Sequence, residues 1–106
     1  MPPPEDSVLL RIFAGDSDRC QRLPLFEAIV LKARESRLAG ATVLHGILGF
    51  GKSSRLHQSN PLILSSDLPV VVEIVDRVDK IEAFLPVLER MMSGGLVTIE
   101  RAHVVK

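Results

Sequence analysis

A single cysteine, Cys20, rules out any disulfide within the chain, and no second cysteine or histidine lies at metal-ligand spacing from it. No base stands nearby in sequence to activate it, so it reads as a free thiol in a loop. Net charge is absent too: 13 basic residues balance 13 acidic ones. That excludes a general attraction to nucleic acid or anionic membrane, and any charge-based binding must be local. No run of about 20 apolar residues is available to span a bilayer. The start, MPPPEDS, has neither the basic residues nor the apolar core of a secretory signal, and residues 1–7 are expected to form a disordered leader. The expected setting is therefore cytoplasmic, with no direct membrane insertion.

What is present is a chain of 106 residues, 46% apolar and 25% charged, which is a folding composition. Its length suits one domain over residues 8–106, with a core small for its surface, so help from a partner copy is expected. Residues 8–13 read as a first strand, apolar except for Arg11, followed by a polar connection over 14–23. Pro24 is placed to open a helix running to Leu38, with Leu25, Phe26, Ile29, Val30 and Ala33 on one face and Gly40 as its C-cap. Residues 42–48 read as a buried second strand. Residues 62–67 form a short arm or the return of a loop.

The strongest strand lies over 68–75, apolar on both faces apart from Glu73, and so is expected mid-sheet. Glu73 then faces a subunit contact or pairs with a base. Asp76 is the expected N-cap of a second helix with Val78, Ile81, Leu85, Leu88 and Met92 at helical spacing, and Pro86 predicts a kink or a restart near Phe84. Ser93, Gly94 and Gly95 make a tight turn into a last strand over 96–105. The order is βαββαβ, an α+β ferredoxin-like arrangement with a four-stranded antiparallel sheet and two helices on one face. Its second and fourth strands lie at the edges. Both edges read as long and apolar, and a closed ring of copies would cover them.

Chemistry is concentrated in residues 39–57, AGATVLHGILGFGKSSRLH. A β-branched run ends in glycines and donors, and no acid follows before Asp67. That is the equipment of an anion site. Residues 46–53 also fit the phosphate-loop pattern G-x-x-x-x-G-K-[ST], but that motif needs a helix after the lysine, and the polar segment before Pro61 has room for at most two turns. Two readings remain beside it. In one, Gly46 relieves crowding while Gly49 and Gly51 form an exit turn. In the other, which the donors favour, this is a flexible nucleotide-binding loop, spanning about residues 50–67, without hydrolysis. Neither the phosphate-loop pattern nor Glu73 assembles a nucleophile, a base and an orienting partner, so the chain reads as non-enzymatic.

From Val8 to Val105 the chain resembles the small, uncharacterised PII-like proteins of bacteria and archaea, through the blocks LRIFAGDSDR, LPLFEAIVLKARE, LAGATVLHGILGFGKSSR, DLPVVVEIVD and GLVTIE. The middle block is also similar to the nitrogen-regulatory PII proteins, at Gly40, Thr42, Val43, Gly49, Phe50, Gly51 and Lys52. The resemblance implies a regulatory homotrimer with nucleotide clefts between subunits. It also implies signalling to a transporter or enzyme through the loop after Gly-Phe-Gly. It gives Thr42 a contact to base or ribose, Gly49 and Gly51 N–H groups for phosphate, and Lys52 and Ser53 a charge and a hydroxyl. Phe50 and Arg55 complete the candidate site, the ligand being an adenine nucleotide or a similar anion, with no cofactor required. Four features differ from the nitrogen regulators: the interval from Gly40 to Gly49 is one residue longer, the loop from Lys52 to Asp67 is shorter, no tyrosine exists to be uridylylated, and the turn Ser93 to Gly95 lacks the longer glycine- and lysine-containing loop that completes their cleft.

An alternative of another class is a metal-responsive trimer similar to the divalent-cation tolerance proteins. It would draw on His45, His57 and His103, with Cys20 as a candidate fourth ligand. No two of these residues sit at helix or hairpin ligand spacing.

Overall fold

The computed structural model describes residues 7–51 and 67–106. The expected leader, apart from Ser7, and most of the expected loop lie outside the described residues. β1 spans Ser7–Gly15, longer at both ends than the apolar run suggested, with Val8, Leu10, Ile12 and Ala14 buried on one side. The connection expected to be merely polar folds into a small hairpin, β2 (Arg19–Cys20) against β3 (Leu23–Pro24), with Gln21 at φ 56° in its turn.

α1 spans Leu25–Glu35, and Pro24 sits one residue before it with φ −54° and ψ 139°. Leu25, Ala28, Ile29 and Ala33 are its buried stripe. Gly40 does not end this helix. Arg37 does, at φ 62°, with its N–H donating to Arg34 O at 3.0 Å and the Leu38 N–H to Ala33 O at 3.0 Å. Those two bonds are the Schellman pattern, which favours glycine at that position but is satisfied here by an arginine. Lys80 Nζ also donates to the Arg37 carbonyl at 3.0 Å.

β4 is only Thr42–His45, and it is largely exposed, so the expectation of a buried strand running to Leu48 is overturned. The reason is position: among the described residues β4 has a neighbouring strand on one side only, at the edge of the sheet. β5 spans Pro69–Arg77 and α2 spans Val78–Met91. Asp76 does not cap α2. Its carboxylate accepts from the N–H groups of Ala39 at 2.9 Å and Arg77 at 2.7 Å, tying the α1–β4 connection to the end of β5. Arg77 takes the cap position without a side-chain bond. α2 runs through Pro86 as one helix without a restart; Pro86 is exposed, where water can serve the carbonyl that lacks its donor. β6 is Leu96–Ala102, stopping three residues short of the expected end. Gly95 precedes it at φ 94°, and a Cβ there would sit 2.7 Å from the Phe13 carbonyl oxygen. Only glycine meets both conditions.

The sheet order is β4-β5-β1-β6, antiparallel throughout, so the ferredoxin-like α+β arrangement holds with β5 and β1 central. Leu10, Ile12, Val72 and Ile74 of the sheet pack with Ile29 of α1 and Ile81, Phe84 and Leu88 of α2 in a single core. Burial of each such side chain contributes about 1.5–3 kcal/mol. Among the described residues no helix covers the other side of the sheet. The strand registers place Leu9, Phe13, Leu44, Val71, Val75 and Leu96 there, around a charged trio. Arg11 Nε lies 2.9 Å from Glu73 Oε2, and Arg11 Nη1 lies 2.7 Å from Glu100 Oε1. Glu73 is thus the paired acid that its mid-sheet position called for. Its hydrogen bond is the main cause of a raised Arg11 pKa.

Candidate functional site

The described part of the glycine-rich stretch, residues 42–51, leaves the sheet at its β4 edge and is anchored there by close backbone approach. The Gly46 N–H donates to the Pro69 carbonyl at 2.7 Å, continuing the β4–β5 ladder by one step. A Cβ on Gly46 would come within 2.6 Å of Pro69 Cγ, and one on Gly49 within 3.1 Å of the same atom. Both glycines therefore let the chain lie against the Pro69 ring. Neither has a positive φ, so room decides here and not turn conformation. The reading in which Gly46 relieves crowding describes its contact well. The bend itself falls at Ile47 and Leu48, before the expected exit turn at Gly49 and Gly51.

Beyond the latch the chain stands in solvent. Ile47, Leu48 and Phe50 are 93%, 79% and 82% exposed, and Leu44 beside them is half exposed. A Cβ on Gly51 would meet no atom within 4 Å. Thr42 is exposed on the helix-free side of the sheet, in the same row as Glu73. Of the expected site residues, Thr42, Gly49, Phe50 and Gly51 thus share one exposed edge. Lys52, Ser53 and Arg55 lie outside the described residues. So does the part of the phosphate-loop pattern that would have to begin a helix; the described part follows an edge strand of an antiparallel sheet.

A second anchor receives the chain at Asp67, and it was not foreseen. Asp67 Oδ1 accepts from Ser17 Oγ at 2.7 Å and from the Ser17 N–H at 3.3 Å, while its carboxylate covers Gly15 so closely that a Cβ there would clash with Oδ1. Asp16 and Leu68 exchange two bonds: the Asp16 N–H donates to Leu68 O at 2.9 Å, and the Leu68 N–H to Asp16 Oδ1 at 3.2 Å. Asp18 Oδ2 accepts from the Gly15 N–H at 2.9 Å. The signal lay in the run GDSD, since Gly, Asp and Ser are the residues whose side chains and φ freedom build such turns. The consequence is electrostatic. Residues 46–51 carry no acid, but the sheet end from which they emerge does, where Asp16, Asp18 and Asp67 each accept through one carboxylate oxygen from backbone or hydroxyl donors.

For the metal alternative, the described residues contain no group of three or more His, Cys, Asp or Glu able to hold an ion. His45 points to the helix side of the sheet and meets the Phe26 ring edge to face at 5.2 Å and 84°. His103 follows Ala102, whose row reaches Ser7 and Arg77, seven residues along β5 from the His45–Val70 pair. At about 3.3 Å per residue the two histidines of one subunit stand roughly 20 Å apart or more. His57 lies outside the described residues, and Cys20 is half buried in the small hairpin. Among the described residues no helix is long and apolar enough to cross a membrane.

Comparison with known proteins gives relatives that carry no functional name. A UPF0166 protein of Aquifex aeolicus (strain VF5) is 37% identical over 97 residues, covering 92% of this chain and 91% of the relative. A second UPF0166 protein of that organism is 34% identical over 97 residues, with 92% and 95% covered. A UPF0166 protein of Methanocaldococcus jannaschii is 31% identical over 99 residues, with 92% and 91% covered. The match extends over almost the whole fold, from the first residue of β1 to two residues past β6, and the chain belongs to the DUF190 family, described as Uncharacterized ACR, COG1993, which it matches over residues 7–104.

Proposed function

We propose that this protein is a non-enzymatic, PII-like regulator that assembles as a homotrimer. It binds a nucleotide or a similar anion at the segment beginning with Thr42 and passes occupancy to a transporter or enzyme through the loop that follows Gly51. One observation carries this reading. An apolar, glycine-bounded segment leaves the sheet edge between two stiff anchors, at Pro69 and at Asp67, and displays Ile47, Leu48 and Phe50 to solvent. A chain held by contacts at both roots, with exposed apolar residues beside the first, suits a part that changes partners. The Gly-Phe-Gly sequence and the donors Lys52, Ser53 and Arg55 support an anionic ligand, since backbone N–H groups and a nearby ammonium together favour phosphate. The helix-free sheet face, with Leu9, Phe13, Val71 and Val75 around the Arg11 trio, supports assembly with further copies.

Calorimetry with ATP, ADP, AMP and cyclic AMP tests the ligand, and native mass spectrometry tests the trimer. Binding of one of these nucleotides is expected, and Lys52→Ala is expected to weaken it by about 1–3 kcal/mol, roughly 5- to 150-fold. If none of the four binds the native oligomer, the ligand half of the reading fails; a native mass of one chain removes the assembly half.

A further inference from the structure

We infer that the segment 46–50, with Ile47, Leu48 and Phe50 as its wedge, settles on the headgroup layer of an anionic lipid bilayer, its side chains passing just below the phosphates while its backbone stays among them. This goes beyond the regulatory reading and requires neither a nucleotide nor a partner protein. The first ground is exposure without polarity. Ile47, Leu48 and Phe50 are 93%, 79% and 82% exposed, and Leu44 at the root of the segment is 50% exposed. Residues 46–51 read GILGFG, so no side chain in that run can donate or accept a hydrogen bond. A segment that docks into a protein groove ordinarily surrounds its apolar anchors with polar side chains that fix its orientation. A lipid surface needs no such fixing, because it takes apolar side chains by area alone.

The second ground is how the segment is held. The Gly46 N–H is bonded to the Pro69 carbonyl at 2.7 Å, and Gly49 lies against the same proline ring, where a Cβ would meet Cγ at 3.1 Å. The bend at Ile47 and Leu48 is therefore raised between two points of attachment, and little chain entropy remains to be lost when those side chains are buried. In hydrocarbon an unpaired N–H or C=O is costly, so the backbone stops at the headgroups, where water and phosphate serve those groups. The contact is one side chain deep. It calls for no span, and among the described residues no helix is long and apolar enough to make one.

The third ground is charge. Over residues 36–66 the sequence has no acid, and Lys52 and Arg55 follow the apolar run directly. The chain is neutral overall, so this is a local excess, and its sign complements phosphatidylglycerol or another anionic headgroup. Asp16, Asp18 and Asp67 stand at the same sheet end, each with one carboxylate oxygen engaged by protein donors. Their charge opposes a deep approach to anionic lipid, which leaves the apolar side chains to lead the contact. One such wedge binds weakly, as single shallow anchors do. In a ring of like copies every wedge lies at the same height along the axis, so several meet one flat surface together and the first to bind raises the effective concentration of the rest.

The chain has no tryptophan, so one introduced at the wedge reports on that position alone. Leu48→Trp, in the full chain, is mixed with protein-free vesicles of phosphatidylcholine and phosphatidylglycerol, and its emission is read with and without lipids brominated along their acyl chains. A blue shift and quenching by the brominated lipid are expected. Leu31→Trp, on the outer side of α1 at a position 49% exposed, should show neither. Ile47→Asp added to Leu48→Trp should weaken vesicle binding about tenfold or more. Far-UV circular dichroism checks that each variant folds, since positions 31, 47 and 48 are not in the core. An unshifted, unquenched Leu48→Trp overturns the inference, while calorimetry and native mass read the regulatory function separately. Equal quenching of Leu48→Trp and Leu31→Trp overturns it as well, since that reports adsorption without a preferred face. So does shielding of Leu48→Trp from iodide by membranes that carry their proteins but not by vesicles of the lipid extracted from them, which assigns the segment to a protein groove.

Discussion

Gly46→Ala is the perturbation that reads the Pro69 latch most directly. The added methyl would lie 2.6 Å from Pro69 Cγ, where ordinary contact begins at 3.4 Å, so the two must part by about 0.8 Å. The proline ring cannot rotate away, and the movement falls on the backbone. A shift of that size stretches the bond from the Gly46 N–H to Pro69 O from 2.7 Å to near the limit of a hydrogen bond. Overpacking costs about 1–3 kcal/mol and the weakened bond about 1 kcal/mol, while alanine restores about 0.4–1 kcal/mol by narrowing the unfolded ensemble. The net loss is about 1–3.6 kcal/mol, a fall in Tm of roughly 4–16 °C for a domain of this size. The chain has no tryptophan or tyrosine, so unfolding is followed by far-UV circular dichroism at one fixed protein concentration, which holds any assembly constant. Pro69→Ala provides the decisive comparison. It removes Cγ and leaves the Pro69 carbonyl oxygen at 3.3 Å and Cβ at 3.5 Å as the nearest atoms. The double variant should therefore recover about 1–2 kcal/mol relative to the sum of the singles. Additivity within about 0.5 kcal/mol, or a Gly46→Ala loss below that figure, refutes the steric account of the latch.

Asp79 titrates below its ordinary value of 3.8, chiefly through its hydrogen bond from Arg77. A folded pKa below the unfolded one stabilises above the unfolded value, and the gain disappears as pH falls through the folded one. Carboxyl NMR should show Arg77→Ala moving that titration upward and removing this component of acid sensitivity below about pH 4. Phe84→Ala empties the centre of the core beneath α2, where Phe84 is 2% exposed, and should cost about 3–5 kcal/mol in urea denaturation. Arg37→Gly places the preferred residue at φ 62° and should be neutral or stabilising by up to about 1 kcal/mol. Arg37→Val, β-branched, should lose at least that much, both measured as shifts in Tm.

The strand and helix order was legible because its signals are periodic: Val70, Val72 and Ile74 alternate, and Ile81, Phe84 and Leu88 recur at helical spacing. What misled were residues whose local preference competes with a tertiary use. Asp76 has the chemistry of an N-cap, but its carboxylate serves Ala39 across the sheet end. Gly40 has the chemistry of a C-cap, but the helix had already ended at an arginine in the left-handed region. The apolar run after Gly40 reads as buried because hydrophobicity along a chain does not say whether a neighbouring strand exists on each side. Leu44, Ile47 and Leu48 are exposed for that reason. That Thr42 belongs with Gly49, Phe50 and Gly51 came from the resemblance to the PII proteins, and the four share one exposed edge. The Asp67–Ser17 anchor joins residues fifty positions apart, a contact that no local pattern encodes.

The trio of Arg11, Glu73 and Glu100 sets a condition on whatever approaches the bare side of the sheet. Two carboxylates share one guanidinium, so a single negative charge is left in the middle of an aliphatic plain. A stranger with a purely greasy surface would have to strip water from that charge and return nothing. Admission therefore requires a counterpart that brings a donor to the same spot, and this screens out the indiscriminate stacking to which flat sheets are prone.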